Sequence, residues 1–173
     1  MKIVEEFYST DPRLNRDKDI YIFISQRARN LSYDLLKKDA MKIYGAFLTS
    51  LASSIPVNNC HLIDSLNKEY EKGKSNPVEF LGKSISAMSK ADIVLIPIDA
   101  EKSHGCKIEL AVAEEYNIPV FVYLTTSSGK IFFVRLTGPY HVNTESILRK
   151  GIIRTISDNI FALHDMEDRP DVE

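Results

Sequence analysis

Ala91-Asp92-Ile93-Val94-Leu95-Ile96-Pro97-Ile98, continued through Ser103-His104-Gly105-Cys106 to Leu124, reads as strand, turn, helix and strand. Ile93 to Ile98 is a short apolar run of the kind a buried parallel strand shows. Ser103-His104-Gly105 opens a helix that runs to about Tyr116. Asn117-Ile118-Pro119 stops it, because a proline disfavours helical geometry in the residue before it. Val120-Phe121-Val122-Tyr123 begins the next strand. At about 100° per residue, Cys106, Ile108, Leu110, Val112, Ala113 and Tyr116 share one arc of the helix. Glu109 falls near the centre of that arc, while Lys107, Glu114 and Glu115 lie on the other side. An isolated buried carboxylate is too costly to be filler. Glu109 is expected to face a cleft, meet a buried partner such as Arg27 or Arg29, or do chemistry.

The flanking sequence repeats the alternation. Ile20 to Ser25 reads as a strand, and Leu31 to about Leu51 as a helix carrying Leu31, Leu35, Ile43, Phe47 and Leu51 at helical spacing. Cys60 to Ile63 is a second strand. Lys68 to Asn76 is a polar loop, and Pro77, suited to a first helical turn, starts a helix to Ser89. Ile131 to Val134 is a fifth strand after the Thr125 to Lys130 turn. Asn143 or Thr144 caps a last helix carrying Ile147, Leu148, Ile153, Ile156, Ile160 and Leu163. The expected fold is α/β: a flavodoxin-like, doubly wound, mostly parallel five-stranded sheet with helices on both faces. Residues 1–19 read as an N-terminal extension, 20–164 as the domain and 165–173 as an acidic tail expected to be disordered.

Composition narrows the function classes. The 173 residues are 44% apolar and 27% charged, ordinary for one soluble globular domain. A net charge of -2 and the lack of a Lys/Arg stripe argue against a nucleic-acid partner. Cys60 and Cys106 form neither a zinc spacing nor a disulfide framework, so no metal and no cofactor are expected. The N-terminus lacks the apolar region of a signal peptide, and no stretch is long enough to span a bilayer. The expectation is a reduced, cytoplasmic protein with no membrane partner.

In an open parallel sheet, ligands bind beyond the carboxyl ends of the strands, where helix N-termini also point. Ser25 to Asn30, Asp64-Ser65 and Asp99 to Glu109 meet that condition and supply a rim of hydroxyls, arginines and carboxylates. These segments also carry a resemblance. Phe23-Ile24-Ser25-Gln26 followed by Arg29, then Phe80-Leu81-Gly82-Lys83-Ser84, Ala91-Asp92 and Gly105-Cys106-Lys107-Ile108-Glu109, resemble the nucleoside 2-deoxyribosyltransferase-like superfamily. They are most similar to a branch of small bacterial and phage proteins within it. The resemblance covers roughly residues 20–124.

It implies that Glu109 is a nucleophile attacking the anomeric carbon of a nucleoside or nucleotide, after which water or a second base takes the sugar. A carboxylate suits that role because a glycosyl ester splits one hard displacement into two easier ones. Ser103, six residues before Glu109, matches a serine that holds the 5′-phosphate in the superfamily's nucleotide hydrolases, although a plain N-cap worth about 1 kcal/mol also accounts for it. Arg29 matches the arginine of the phosphate-binding first loop, with Arg27 a second candidate. Gly105 leaves room for a ligand to approach the backbone. Ser25, Gln26 and Ser84 complete the expected substrate contacts, and the superfamily's habit of sharing sites between subunits implies a homo-oligomer binding a small nucleotide.

Two positions depart from the pattern. Ser84 stands where the hydrolases carry an aspartate that assists base departure, and a serine cannot act as a general acid at neutral pH. Asp99, at the end of the third strand, is the substitute. Phe23 replaces a tyrosine and removes a hydroxyl. Ser103 to Leu110 and Ile22 to Ser25 also resemble TIR domains, which cleave NAD with the matching glutamate or act as assembly modules. The alternatives are therefore a TIR-like NAD glycohydrolase or cyclase and a non-catalytic nucleotide sensor or inhibitor. Ser127-Ser128-Gly129-Lys130 lacks the rest of a phosphate-binding P-loop.

Overall fold

The computed structural model describes residues 18–27, 31–51, 59–66 and 76–136. Arg29, most of residues 1–19, most of the 68–76 loop, the expected last helix and the acidic tail lie outside the described residues. The elements follow the alternation of the sequence: β1 (Ile20–Ile24), α1 (Tyr33–Leu51), β2 (Cys60–Leu62), α2 (Pro77–Met88), β3 (Ile93–Pro97), α3 (His104–Glu115), β4 (Val120–Thr125) and β5 (Ile131–Arg135). A single turn of 3₁₀ helix, Ala100–Lys102, joins β3 to α3. No helix among the described residues is long and apolar enough to cross a membrane.

The strands form one sheet in the order β2-β1-β3-β4-β5. β1 pairs in parallel with β2 and β3, and β3 in parallel with β4. β5 returns antiparallel on the edge, through a turn in which Gly129 takes φ 81° and Thr126 bonds Lys130 in both directions. The order reverses between β1 and β3, so right-handed crossovers place α1 on one face and α2 and α3 on the other. This is the five-stranded, mostly parallel α/β arrangement expected from the alternation, and its strand order is consistent with a flavodoxin-like layout. Every residue of β3 is buried, as its unbroken apolar run requires.

On one face, Ile20, Ile22 and Ile24 of β1, Ile93 and Leu95 of β3 and Phe121 of β4 meet Ala40, Ile43, Phe47 and Leu51 of α1. The buried stripe of α1 is Leu36, Ala40, Ile43, Phe47 and Leu51, spaced by three or four residues. Leu31 and Leu35, expected inside on the same periodicity, are exposed. Leu31 precedes the helix, and Leu35 lies one residue, or about 100°, off the stripe that Leu36 begins.

Local signals set the helix ends. Asn76 caps α2, its side chain accepting from the Val78 N–H, with Pro77 at the first helical position. α3 ends in a Schellman motif: Ile118 N–H donates to the Ala113 carbonyl and Asn117 N–H to that of Glu114, with Asn117 at φ 55°. Pro119 follows and prevents continuation.

Phe47 is the anchor of the α1 face, fully buried and edge-on to both Phe121 and Phe133 at centroid separations of 5.3 and 5.0 Å. Phe47→Ala leaves a cavity between helix and sheet and is expected to cost about 3–5 kcal/mol, read as a lower denaturant midpoint at unchanged slope.

Candidate functional site

The sheet order reverses at β1 and β3, the switch point beyond whose strand ends an open parallel sheet has its crevice. Ser25 leaves the end of β1, Asp99 follows β3, and Ser103 caps α3 with its hydroxyl 3.5 Å from the Cys106 N–H. Further along α3, Glu109 points back into this crevice and is 6% exposed.

Two hydroxyls meet its carboxylate, one on each oxygen. Ser25 Oγ donates to Oε2 at 2.5 Å, and Ser84 Oγ on α2 donates to Oε1 at 2.6 Å. No cation among the described residues pairs with it. Burial pushes the Glu109 carboxyl above the ordinary glutamate value, while the two hydroxyls, which bind the charged form, pull it back. A carboxylate has about four lone-pair sites, so each oxygen keeps one for a further donor or an electrophile.

The face of α3 that packs inward is Cys106, Glu109, Leu110 and Ala113. This corrects the expected arc: Ile108 is 42% and Tyr116 74% exposed. The buried sector is centred between Ala113 and Cys106, with Glu109 and Leu110 as its outermost members, turned from the apolar sector because α3 is partly covered by α2 and the sheet but not beyond them. Glu109 lies inside both sectors.

Arg27 does not reach Glu109. Its guanidinium pairs with the Asp99 carboxylate across the mouth of the crevice, both side chains half-exposed. Arg27 Nε and Gln26 Oε1 are buried without hydrogen-bond partners among the described residues. Gly105 is half-buried, and a Cβ there would meet Leu81 and Ser103 only at 4.0 Å, so the protein's own packing does not demand a glycine. Ser25, Ser84 and Glu109 are thus brought into direct contact, Arg27 and Asp99 pair beside them, and Ser103 and Gly105 form the start of α3.

No family model, curated protein or solved structure matches the chain.

The site's meaning therefore rests on its own chemistry. Among the described residues, no group of three or more His, Cys, Asp or Glu side chains is placed to hold a metal ion. Two members of the site are not among the expected site residues, although Cys106 lies within the Gly105 to Glu109 stretch. The Cys106 thiol is buried within hydrogen-bond reach of the Ser103 and Ser25 hydroxyls, and burial pushes it up, which leaves it an inert thiol rather than a nucleophile. Tyr123 on β4 is buried, with its hydroxyl donating to the Ser25 carbonyl at 3.0 Å. Its only sequence signal is a phenol in a strand where apolar residues otherwise prevail.

A raised carboxyl binds more protons folded than unfolded, between its ordinary and its raised value. Stability therefore falls as pH rises through that window, and the penalty is complete above it. Glu109→Gln keeps the shape, and both serine hydroxyls can turn to suit the amide. The variant is expected to melt higher than the parent at neutral pH, by ~2–4 °C for each kcal/mol recovered. That gap should close towards about pH 4, where a free glutamate protonates. Melting curves of both proteins across this range check it.

Proposed function

We propose that this protein binds a nucleotide at the carboxyl edge of its sheet and cleaves or transfers at the N-glycosidic bond through Glu109. The observation that carries the reading is a buried carboxylate at the switch point of the sheet, met by two hydroxyls and no cation among the described residues. Such a group costs stability, and hydroxyl donors hold it in place without neutralising its charge.

In the first step a Glu109 oxygen bonds to the anomeric carbon. The carbon–nitrogen bond breaks, and the base leaves with its electron pair. In the second, water or another base attacks that carbon, and the ester bond breaks to regenerate the carboxylate. The proton of the attacking water passes to solvent or to the departed base. Ser103 at the α3 N-terminus, with Arg27 and Arg29, is the proposed phosphate end of the site; Ser25, Gln26, Ser84 and Gly105 are its proposed remaining contacts. Asp99 is the proposed acid, and this role requires the guanidinium of Arg27 to move onto the ligand.

The placing of Ser84 favours a second reading. Its hydroxyl, not a carboxylic acid, occupies the position against Glu109 Oε1, so a base that leaves without protonation suits the site best. A cationic nicotinamide meets that demand, which supports cleavage of NAD. A nucleotide sensor lacking turnover is the remaining reading.

Incubation with nucleosides, their monophosphates and NAD, followed by chromatography for free base, is the test. Release is expected from the parent and is expected to vanish in Glu109→Gln, with ligand binding retained. Undiminished release in the variant removes Glu109 from the mechanism, and no release from any substrate leaves the sensor.

The same assay carries a pH dependence. Because burial raises the Glu109 carboxyl, the acid limb of kcat/KM is expected above the ordinary glutamate range. Ser84→Ala removes a donor to the charged form and should move that limb further up, at a cost of about 1–2 kcal/mol in stability. Monophosphates are expected to bind more tightly than nucleosides, and Ser103→Ala to narrow that difference. A homodimer with a shared site is the proposed assembly, and sedimentation showing only a 19.6 kDa species would exclude it.

A further inference from the structure

We infer that Pro97 and Tyr123 together form a positioning device for Glu109, in which the Tyr123 hydroxyl replaces the backbone donor that Pro97 lacks and thereby fixes Ser25 against the carboxylate. The device belongs to the site proposed above and rests on that reading only where turnover is concerned.

The β1–β3 ladder pairs Ile22 with Ile93, Phe23 with Val94 and Ile24 with Leu95. Just past the last pair, the Ser25 N–H donates to the Leu95 carbonyl at 2.8 Å. In a parallel ladder the N–H and C=O of such a residue bond the two residues flanking its partner. The Ser25 carbonyl is therefore due a hydrogen bond from the backbone nitrogen of residue 97. That residue is proline, which has no N–H. Ser25 is 1% exposed, so water cannot serve its carbonyl freely, and a buried carbonyl left unpaired is costly.

The missing donor comes from one strand further. Tyr123 is the register partner of Pro97, and its backbone carbonyl accepts from Ile98 N–H at 3.0 Å. Its side chain belongs to the core on the α1 face, together with Ile24, Leu95 and Phe121. From there its hydroxyl donates to the Ser25 carbonyl at 3.0 Å. Ser25 directs its own hydroxyl to Glu109 on α3, on the opposite face. The Ser25 peptide is thus held by Leu95 through its N–H and by Tyr123 through its carbonyl, and its side chain delivers that placement to the carboxylate.

A proline at this position gives the carbonyl an O–H donor from a side chain in place of a backbone N–H. Tyr123 touches neither a substrate nor the reacting atoms in this arrangement, so it is a positioning residue. Among the described residues, the titratable groups in electrostatic reach of Glu109 are the Cys106 thiol on its own helix and Tyr123 itself, and Asp99 acts on both of those. Arg27 carries a positive charge beside the site, and it pairs with Asp99 rather than with Glu109.

The test is a titration of the full chain with glutamate carboxyl carbons labelled, followed by NMR, the Glu109 signal being assigned with Glu109→Gln. Tyr123→Phe frees the Ser25 peptide and weakens its donation to the carboxylate, so Glu109 is expected to titrate at higher pH. Pro97→Ala supplies the ladder N–H, and in the Tyr123→Phe chain it is expected to return the titration to that of the parent. An unmoved titration in Tyr123→Phe overturns the inference, as does failure of Pro97→Ala to restore it. Should Tyr123→Phe not fold, the double substitution decides alone: a folded chain with the parental titration supports the device, and an unfolded one overturns it. Where release of base is measurable, kcat should fall roughly tenfold in Tyr123→Phe with little change in KM, and recover in the double variant. Absence of release in the parent defeats the glycosidase reading, and the titration then decides for or against the device by itself.

Discussion

A carboxylate taken out of water beside the central strands of a parallel sheet has to be met by donors, and most of this site is arranged by that demand. Glu109 is met from two directions, by Ser25 at the end of β1 and by Ser84 on α2. These bonds tie three elements that are far apart in sequence into one crevice. They also define its electrostatic character. A lysine or arginine in place of the serines would satisfy the charge more fully. Hydroxyls hold the carboxylate in place and leave its charge intact, at the cost that burial imposes.

Arg27, the described arginine beside the site, is engaged elsewhere. It spans the crevice mouth to Asp99, joining the loops that leave the two strands where the sheet order reverses. Half-exposed pairs of this kind contribute little stability. Among the described residues, the Arg27 Nε has no hydrogen-bond partner. The tight, buried contacts around Glu109 and the loose pair at the rim thus divide the site into a fixed interior and an exchangeable edge.

The fold was legible in the sequence wherever the pattern was strong. The apolar run of β3, the Asn117-Ile118-Pro119 stop and the Asn76-Pro77 start each have a local cause, and each described strand and α-helix stands within a residue or two of its expected bounds. Which residues face inward was less legible at the margins. Leu31, Leu35, Ile108 and Tyr116 are apolar and lie near the buried stripes, yet they are exposed. Periodicity gives the phase of a helix only to within the width of its apolar sector, and the neighbouring elements decide how much of that sector is covered.

Glu109 could be singled out from the sequence alone because its position is a contradiction visible within one helix: a charge among residues bound for the core. The alternation of elements likewise determined a doubly wound sheet, and with it the edge where a site would form. The tertiary structure decided which donors answer the charge. Ser84 lies 25 residues from Glu109 and Ser25 lies 84, and the sequence marked both for the site without marking either as a donor to this carboxylate. It also decided that Arg27 turns to Asp99, and that Tyr123 reaches past Pro97 to the Ser25 carbonyl. Such choices depend on strand register and on the packing of α2 against α3, which are set by the whole folded core and by no single stretch of sequence.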